Sequence, residues 1–255
     1  PPLQSSRLLD QLRERIRYRH YSLKTEKAYV YWVRYFIRWH SLRHPRDMGA
    51  REVEAFLTML ANERNVSSST HNQALSALLF LYREVLDQTL PWMDDLQRPT
   101  KVHRIPTVLT HDEVAGLLAQ LSGVELLGKL LYGTGMRLMK GLRLRVKDVD
   151  FDRRVIIVRE GKGAKDRVVM LPQSLIPAMR QQMLAARSLW EEDRHAQRGG
   201  IEVPNALEVK YPQVAQTWGW FWMFPASNHS TDPRSGIVRR HHLFHERLQR
   251  AIKKA

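Results

Sequence analysis

Arg137 stands directly behind a glycine turn, in the pentapeptide GTGMR at residues 133–137. A glycine turn at the head of a helix exposes backbone N–H groups, and arginine presents a planar set of donors that matches the oxygens of a phosphate. The competing interpretation is an ordinary ion pair between Arg137 and Asp148 or Asp150. The pentapeptide alone favours neither.

Lys162 is a second cation that could reach the same phosphate. Two β-rich runs, Val155 to Arg159 and Arg167 to Leu171, flank the sequence EGKGAKD, whose glycines favour a hairpin turn or a slightly longer loop. A lysine at the tip of this hairpin could approach a phosphate that Arg137 already holds. The GKG tripeptide lacks the spacing of a P-loop. The prediction of a phosphate site therefore depends on the two cations, Arg137 and Lys162, and not on the tripeptide.

The overall charge indicates a polyanionic partner. The 255 residues include 41 Lys and Arg against 26 Asp and Glu, a formal net charge of +15, and 43% hydrophobic residues, which is typical of a globular chain. Nucleic acid is the leading partner. The longest apolar run, WGWFWMF at 218–224, is far short of the roughly 20 residues of a membrane span, so no membrane partner is expected. The absence of cysteine fits a reducing cytoplasm.

The first 90 residues predict a small all-helical domain. Behind a serine cap at Ser22, apolar residues recur at three- and four-residue steps up to His40, and two further amphipathic segments follow. The other faces of the first segment carry Lys24, Lys27 and Arg34, which we predict to bind DNA.

A second domain follows a linker. Residues 91–106 contain three prolines and show no regular period, which indicates an interdomain linker, and a Thr110–Glu113 capping box then begins a domain at 107–255. The predicted fold is mainly α with a small antiparallel β-sheet.

Three blocks of the sequence resemble a known family. The motifs GTGMR, LRLRVKDVDFD and IIVREGKGAKDRVVMLP resemble the first half of a tyrosine-recombinase catalytic domain, and YSLKTEKAYVYWVRYFIRWH resembles the core-binding (SAM-like) domain of that family. A block at about 191–235 resembles the insertion that distinguishes integron integrases. The chain is therefore identified as similar to the integron integrases of the phage integrase family, with a partial catalytic domain and a truncated C-terminus.

The resemblance implies cofactor-free and metal-free DNA recombination in the cytoplasm, as gene cassettes are integrated and excised. A tyrosine would attack a DNA phosphate to give a 3′-phosphotyrosyl intermediate. Arg137 would stabilise the transition state and Lys162 would protonate the leaving oxygen. Intact relatives act as homo-oligomers on DNA.

Some expected parts of the family pattern are missing from these residues. His195 and Arg198 have the letters of the family's His-x-x-Arg motif, but we interpret them as a chance match in a polar segment. The last tyrosine, Tyr211, is not expected to be the nucleophile, and Lys140 stands where the family usually has glutamate. The alternatives are therefore a non-catalytic DNA-binding module that occupies recombination sites or interferes with an intact integrase, and, from another class, an RNA-binding or basic scaffold protein.

The insertion block suggests which DNA is preferred. Integron integrases recombine a folded single-stranded hairpin with protruding bases, and we predict that Trp220, Pro233, His241 and His242 line a pocket for such an extrahelical base. Arg239 and Arg240 are expected to hold adjacent phosphates. The competing interpretation makes WGWFWMF a core strand with alternating aromatics and the histidines ordinary surface residues. A metal at His241, His242 and His245, which have helical spacing, is disfavoured because no HExxH motif or nearby cluster of carboxylates accompanies them.

Overall fold

The computed structural model describes residues 3–90, 105–159, 166–204 and 207–255, which fall into two compact units, Pro1–Pro106 and Thr107–Ala255. Lys162 and most of the predicted linker lie outside the described residues. Within the described ranges, no helix is long and apolar enough to cross a membrane.

The N-terminal unit is built from four α-helices. They are α1 (Leu8–Tyr18), α2 (Leu23–Trp39), α3 (Ala50–Asn62) and α4 (Ser68–Phe80), and a π-helical segment, Leu81–Val85, continues α4. The predicted cap is confirmed, because the Ser22 hydroxyl accepts a hydrogen bond from the Thr25 backbone N–H at 3.1 Å. The apolar stripe of α2 packs Val33 and Phe36 into a core shared with Phe56 of α3. The predicted all-helical domain is thus present.

The C-terminal unit is mainly helical with two small antiparallel sheets. In chain order its elements are α5 (His111–Ala119), α6 (Glu125–Thr134), α7 (Leu138–Leu142), β1 (Val149–Asp150), β2 (Val155–Val158), β3 (Arg167–Met170), α8 (Ile176–His195), α9 (Leu207–Lys210), β4 (Pro225–Thr231), β5 (Val238–His242) and α10 (His245–Lys254). The capping box that begins α5 is confirmed, since Thr110 and Glu113 each accept a hydrogen bond from the other's backbone N–H. The predicted fold class is therefore confirmed.

The first sheet has the order β1-β2-β3. Strands β2 and β3 pair antiparallel with Val158 opposite Arg167 and Val155 opposite Met170, which confirms the two predicted runs as paired strands. Strand β1 adds two residues that the sequence did not predict. Ile156 and Val158 of β2 are buried in the core of this unit with Leu130 and Leu142.

The aromatic run at 218–224 is not the alternating strand that one interpretation predicted. Residues Trp218–Trp220 form a 3₁₀ turn, and the following Phe221, Trp222, Met223 and Phe224 are all buried. Within the run, Trp222 forms an isolated β-bridge with Arg145. The run folds irregularly because its consecutive apolar residues are buried on all sides and not on one face of a sheet. Strands β4 and β5 form the second sheet just after it.

Candidate functional site

The glycine turn directs Arg137 outward. Gly135 ends α6 in the left-handed conformation with φ of 62°, and Arg137 occupies the N-cap position of α7. The preceding Met136 is buried, whereas the side chain of Arg137 is exposed. A left-handed residue at this point ends α6, and glycine adopts that conformation without steric cost.

Arg137 makes no ion pair with any described residue. The two carboxylates considered as its partners are engaged elsewhere: Asp148 lies 2.7 Å from Arg159, and Asp150 lies 3.8 Å from Arg153. The ion-pair interpretation of Arg137 is therefore wrong. The predicted second cation, Lys162, lies outside the described residues, so the structure gives no distance between it and Arg137.

A basic stripe runs along α2 in the N-terminal unit. Lys24, Lys27, Arg34 and Arg38, which we call the α2 stripe, are all exposed and lie on one face, because they follow one another at spacings of three, seven and four residues. Tyr31 lies on the same face and is 58% exposed. None of the four cations pairs with a carboxylate among the residues that the structure describes.

The C-terminal unit contains a cleft of about 460 Å³, which we call the cationic cleft. Its lining joins the segment after α7, strand β2 and the aromatic run. Six cationic side chains line it with three acidic ones: Lys140, Arg143, Arg145, Lys147, Arg159 and Arg234, with Asp148, Asp166 and Glu202. Trp220 and Trp222 also line it. The cleft therefore combines flat aromatic surfaces with an excess of positive charge, as sites for nucleotides do.

Arg145 is the centre of this lining. Its Cζ lies 3.3 Å from the centroid of the Trp222 ring and 5.7 Å from that of Trp220. It donates hydrogen bonds to the backbone carbonyls of Trp220 at 3.0 Å and Glu202 at 2.8 Å. Burial lowers the pKa of Arg145 to about 9, so the guanidinium still carries its charge at neutral pH. No pattern in the sequence indicated this role for Arg145.

Lys147 covers one face of Trp220. Its Nζ lies 3.1 Å from the centroid of the Trp220 ring, a cation–π contact. Trp220 itself is half-buried against a small apolar cluster that includes Phe221 and Trp222. Burial lowers the pKa of Lys147. The predicted stacking residue thus lines the cleft, with an ammonium group already against it.

The remaining residues of the predicted base pocket all lie in the β4–β5 hairpin, but not on one side of it. Pro233 is exposed in the turn, where Asp232 Oδ1 accepts hydrogen bonds from the backbone of Arg234 at 2.8 Å and Ser235 at 3.3 Å. His241 and His242 are consecutive in β5, so their side chains point to opposite faces of the strand.

His242 is the histidine that meets the aromatic residues of the cleft. Its ring contacts Trp222 edge-on at 5.2 Å, and its Nδ1 lies 2.8 Å from the Leu243 carbonyl oxygen, to which it donates a hydrogen bond. Burial lowers the pKa of His242, which keeps the ring neutral at pH 7. Trp220 and His242 are therefore connected through Arg145 and Trp222, and His241 faces away from that chain of contacts.

The prediction that Arg239 and Arg240 hold DNA phosphates is wrong for this conformation, because both are buried, at 3% and 2% exposure. Arg240 donates from Nε and Nη2 to the two carboxylate oxygens of Asp193, both at 2.7 Å, and from Nη1 to the carbonyls of Ala226 and Ser227. Arg239 donates to the Ile201 carbonyl at 3.2 Å. A buried guanidinium needs such partners, so these donors are unavailable to DNA.

Asp193 is a structural residue that the sequence did not reveal. It lies on α8, and its Oδ1 also lies 2.8 Å from Nε2 of His229 on β4. Burial disfavours the charged carboxylate, but Arg240 and His229 outweigh that effect, so the pKa of Asp193 is lowered. In the sequence Asp193 is one acid among several in WEEDRH, and nothing there distinguishes it.

The structure also shows where the histidines of two further predictions lie. His195 is the last residue of α8, so His195 and Arg198 stand at the end of a helix and do not open one. His241 and His242 lie in β5 and His245 begins α10, so the helical spacing assumed for these three is wrong. Among the described residues, no group of three or more potential ligands is arranged to hold a metal ion.

Comparison with known proteins matches both units. Residues 8–92 match the family described as "Phage integrase, N-terminal SAM-like domain", and residues 107–255 match the "Phage integrase family". A protein named "Integrase/recombinase" from Escherichia coli is 59% identical over 256 residues, which cover 100% of this chain and 76% of that protein. "Tyrosine recombinase XerA" from Thermococcus kodakarensis is 35% identical over 206 residues, covering 75% of this chain and 68% of the relative.

Solved structures share the fold. XerH site-specific recombinase bound to difH substrate superimposes with a TM-score of 0.54 at 19% identity, covering 96% of this chain and 66% of XerH. A lambda integrase tetramer bound to a Holliday junction gives a TM-score of 0.54 at 16% identity, over 70% of this chain and 54% of that one. At these identities the likeness extends to the architecture alone.

Proposed function

The chain belongs to the phage integrase family of tyrosine recombinases, and we propose that it acts in site-specific DNA recombination at integron sites, where gene cassettes are integrated and excised. The observation that carries this proposal is the placement of Arg137, which is exposed behind the Gly135 turn and makes no ion pair with a described residue. Such a guanidinium is ready to bind a phosphate without first releasing a carboxylate.

We assign Arg137 to the scissile phosphate. In the proposed reaction a tyrosine oxygen attacks phosphorus, a 3′-phosphotyrosyl bond forms, and the 5′-oxygen leaves as the bond to it breaks. Arg137 stabilises the charge on the nonbridging oxygens, and Lys162 gives its proton to the leaving oxygen. The 5′-hydroxyl of a partner strand then reverses these steps, and no cofactor or metal takes part.

We propose that the polypeptide of residues 1–255 supplies the DNA-binding part of this reaction and not its nucleophile. Its last tyrosine, Tyr211, follows α9 within the block assigned to the insertion, and its side chain lies beside Lys210. Among the described residues, no hydrogen bond, ion pair or ring contact joins Tyr211 to Arg137. On its own, this polypeptide would occupy recombination sites without cleaving them.

DNA contacts are assigned to both units. Lys24, Lys27 and Arg34 of the α2 stripe bind backbone phosphates, because they are exposed and free of carboxylate partners within the described residues. In the C-terminal unit, Trp220 stacks on an extrahelical base of a folded hairpin, and we assign His242 and Pro233 to the same site. Protomers assemble as homo-oligomers on DNA, in the cytoplasm.

The preference for a protruding base tests this assignment. We expect the unmodified chain to bind a hairpin with protruding bases more tightly than the same hairpin without them. Trp220→Ala removes a stacking surface worth about 1 to 3 kcal/mol per base, so it should abolish the preference and leave affinity for the flush hairpin nearly unchanged. His242→Ala should reduce the preference more than His241→Ala. Equal affinity of the unmodified chain for the two hairpins contradicts the integron assignment.

A further inference from the structure

The contact between Lys147 and Trp220 occupies a surface that a base would need. Lys147 Nζ lies 3.1 Å from the ring centroid, too close for another ring to enter between them. Lys147 belongs to a 3₁₀ turn, Val146–Asp148, and Trp220 to another, Trp218–Trp220, so both ends of the contact are held by short backbone turns. A flat ligand that stacks on this face of Trp220 must therefore displace the ammonium group.

The cationic cleft has few internal anions to receive a displaced ammonium. Asp148 and Asp166 both pair with Arg159, at 2.7 and 3.2 Å. Among the described residues, Arg145 and Lys147 have no carboxylate oxygen within 4 Å, and Arg145 binds carbonyl oxygens instead. The nearby carboxylates of Asp148 and Glu202 offset part of this charge, but the six cationic side chains of the lining outnumber its three acidic ones, and that excess favours an anionic ligand.

A nucleotide carries both of the groups that this surface requires. Its base can replace the ammonium on the indole, and its phosphate can accept the ammonium that has been displaced. Lysine suits such an exchange, because its charge sits on a flexible four-carbon stem with three rotatable donors.

We propose that Lys147 is a phosphate-binding residue, which leaves the Trp220 ring when a DNA nucleotide enters the cationic cleft and then pairs with the phosphate of that nucleotide. The proposal rests on the function proposed above and adds that Lys147 is the group that distinguishes ligands with a phosphate from those without one. A nucleoside without phosphate would displace Lys147 and offer it no partner. The cleft should accordingly select nucleotides over nucleosides, while Arg145 remains fixed between the two tryptophans.

The full chain with ¹⁵N-labelled tryptophan tests the exchange by NMR. The indole N–H resonance of Trp220, assigned with Trp220→Phe, is followed during titration with thymidine monophosphate, thymidine or inorganic phosphate. We expect the monophosphate to shift this resonance at concentrations about tenfold lower than thymidine, the range expected for one charge-assisted hydrogen bond. Inorganic phosphate, which has no base, should not reproduce the monophosphate's shift of this resonance.

Three variants test the contribution of the Lys147 ammonium group. Lys147→Met keeps the length of the side chain and removes its charge. It should therefore eliminate most of the tighter binding of thymidine monophosphate relative to thymidine, without weakening the binding of thymidine. Lys147→Arg should retain that advantage. Lys129→Met serves as a matched control, since Lys129 pairs with Glu125 at 2.6 Å and does not line the cleft.

A second measurement uses hairpin DNA. The plot of log affinity against log salt for the hairpin with protruding bases should become shallower by about one for Lys147→Met, and by less for Lys129→Met. The flush hairpin should show no such difference between the two variants.

Several outcomes would overturn the exchange. They are an unchanged monophosphate advantage in Lys147→Met, a Trp220 resonance that no ligand shifts, or a response to inorganic phosphate equal to that of the monophosphate. These results differ from failure of the integron assignment, which is equal binding of both hairpins by the unmodified chain, because the NMR titrations contain no hairpin.

Discussion

Arg240 and Asp193, 47 residues apart in the sequence, form a two-point ion pair at 2.7 Å inside the C-terminal unit. Their side chains are 1% and 5% exposed. The pair connects the end of α8 to strand β5, and His229 connects the same carboxylate to β4. The hairpin that carries Pro233 and His242 is therefore fixed to a helix by charge and not by apolar packing alone.

Breaking this pair should destabilise the C-terminal unit strongly. Asp193→Ala leaves a buried guanidinium without its carboxylate, and we expect a loss of about 3 to 5 kcal/mol in the free energy of unfolding, measured by chemical denaturation. Glu191→Ala is a matched control on the same helix, because its exposed pair with Arg187 should contribute below about 1 kcal/mol. A loss from Asp193→Ala as small as that of the control would show that the ion pair does not hold the hairpin.

The same carboxylate predicts a pH dependence. Because the folded protein lowers the pKa of Asp193 below its ordinary value of 3.8, ionised Asp193 contributes stability above that value, and this stability is lost as pH falls through the folded pKa. The difference in unfolding free energy between the unmodified chain and Asp193→Asn should thus shrink as pH falls below about 4. Denaturation curves at several pH values measure it, and a difference that does not shrink below about pH 4 would contradict the assignment.

The 255-residue polypeptide should form no covalent DNA adduct. The residues proposed for phosphate chemistry, Arg137 and Lys162, are present, but no tyrosine of this polypeptide is assigned as nucleophile. Incubation with a nicked, suicide-type recombination site, followed by a denaturing gel, checks this expectation. A band shifted by one protein mass, stable in SDS and lost on protease treatment, would contradict it, and Tyr211→Phe would then show whether Tyr211 is responsible.

The α2 stripe should contribute to the salt sensitivity of DNA binding. If about 6 to 10 phosphates are contacted, affinity should fall on the order of a thousandfold or more between 50 and 200 mM salt. Replacing Lys24, Lys27 and Arg34 together by alanine should reduce the slope of log affinity against log salt by about 2.7, or 0.9 for each phosphate contact. Arg13→Ala is the control, since Arg13 already pairs with Asp10 at 2.7 Å. An unchanged slope in the triple variant would remove the stripe from the DNA interface.

Local signals in the sequence were sufficient for the caps and the first hairpin. Ser22 and the Thr110–Glu113 box act on neighbouring backbone groups, and strands β2 and β3 are joined by a short glycine-containing connection, so each can be recognised within a few residues. Strand β1 has only two residues, too few to show an alternating pattern.

Side-chain partners distant in the sequence could not be predicted in the same way. The letters RR at 239–240 favour an exposed basic patch, and only the folded chain shows that Asp193 neutralises Arg240. Likewise, a lysine directly before an aspartate is ordinary in sequence, and the position of Lys147 over Trp220 depends on how two separate 3₁₀ turns pack. The residue types of the candidate site, and Trp220 as a member of it, could thus be predicted from the sequence. Which cations remain available to a ligand could not.

The left-handed Gly135 makes the direction of Arg137 depend on one torsion angle. Apart from Gly135 and its two neighbours, no heavy atom of the described residues lies within 4 Å of the point where a Cβ on Gly135 would stand, so the φ of 62° is the obstacle to a larger residue. Gly135→Ala should cost about 1 to 2 kcal/mol through that torsion, or relax it and turn α7. A substitution of this kind would mimic the loss of Arg137 while every side chain proposed for the chemistry is still present. A change at a residue with no side chain should therefore weaken the phosphate binding proposed for Arg137 while Arg137 itself is unchanged.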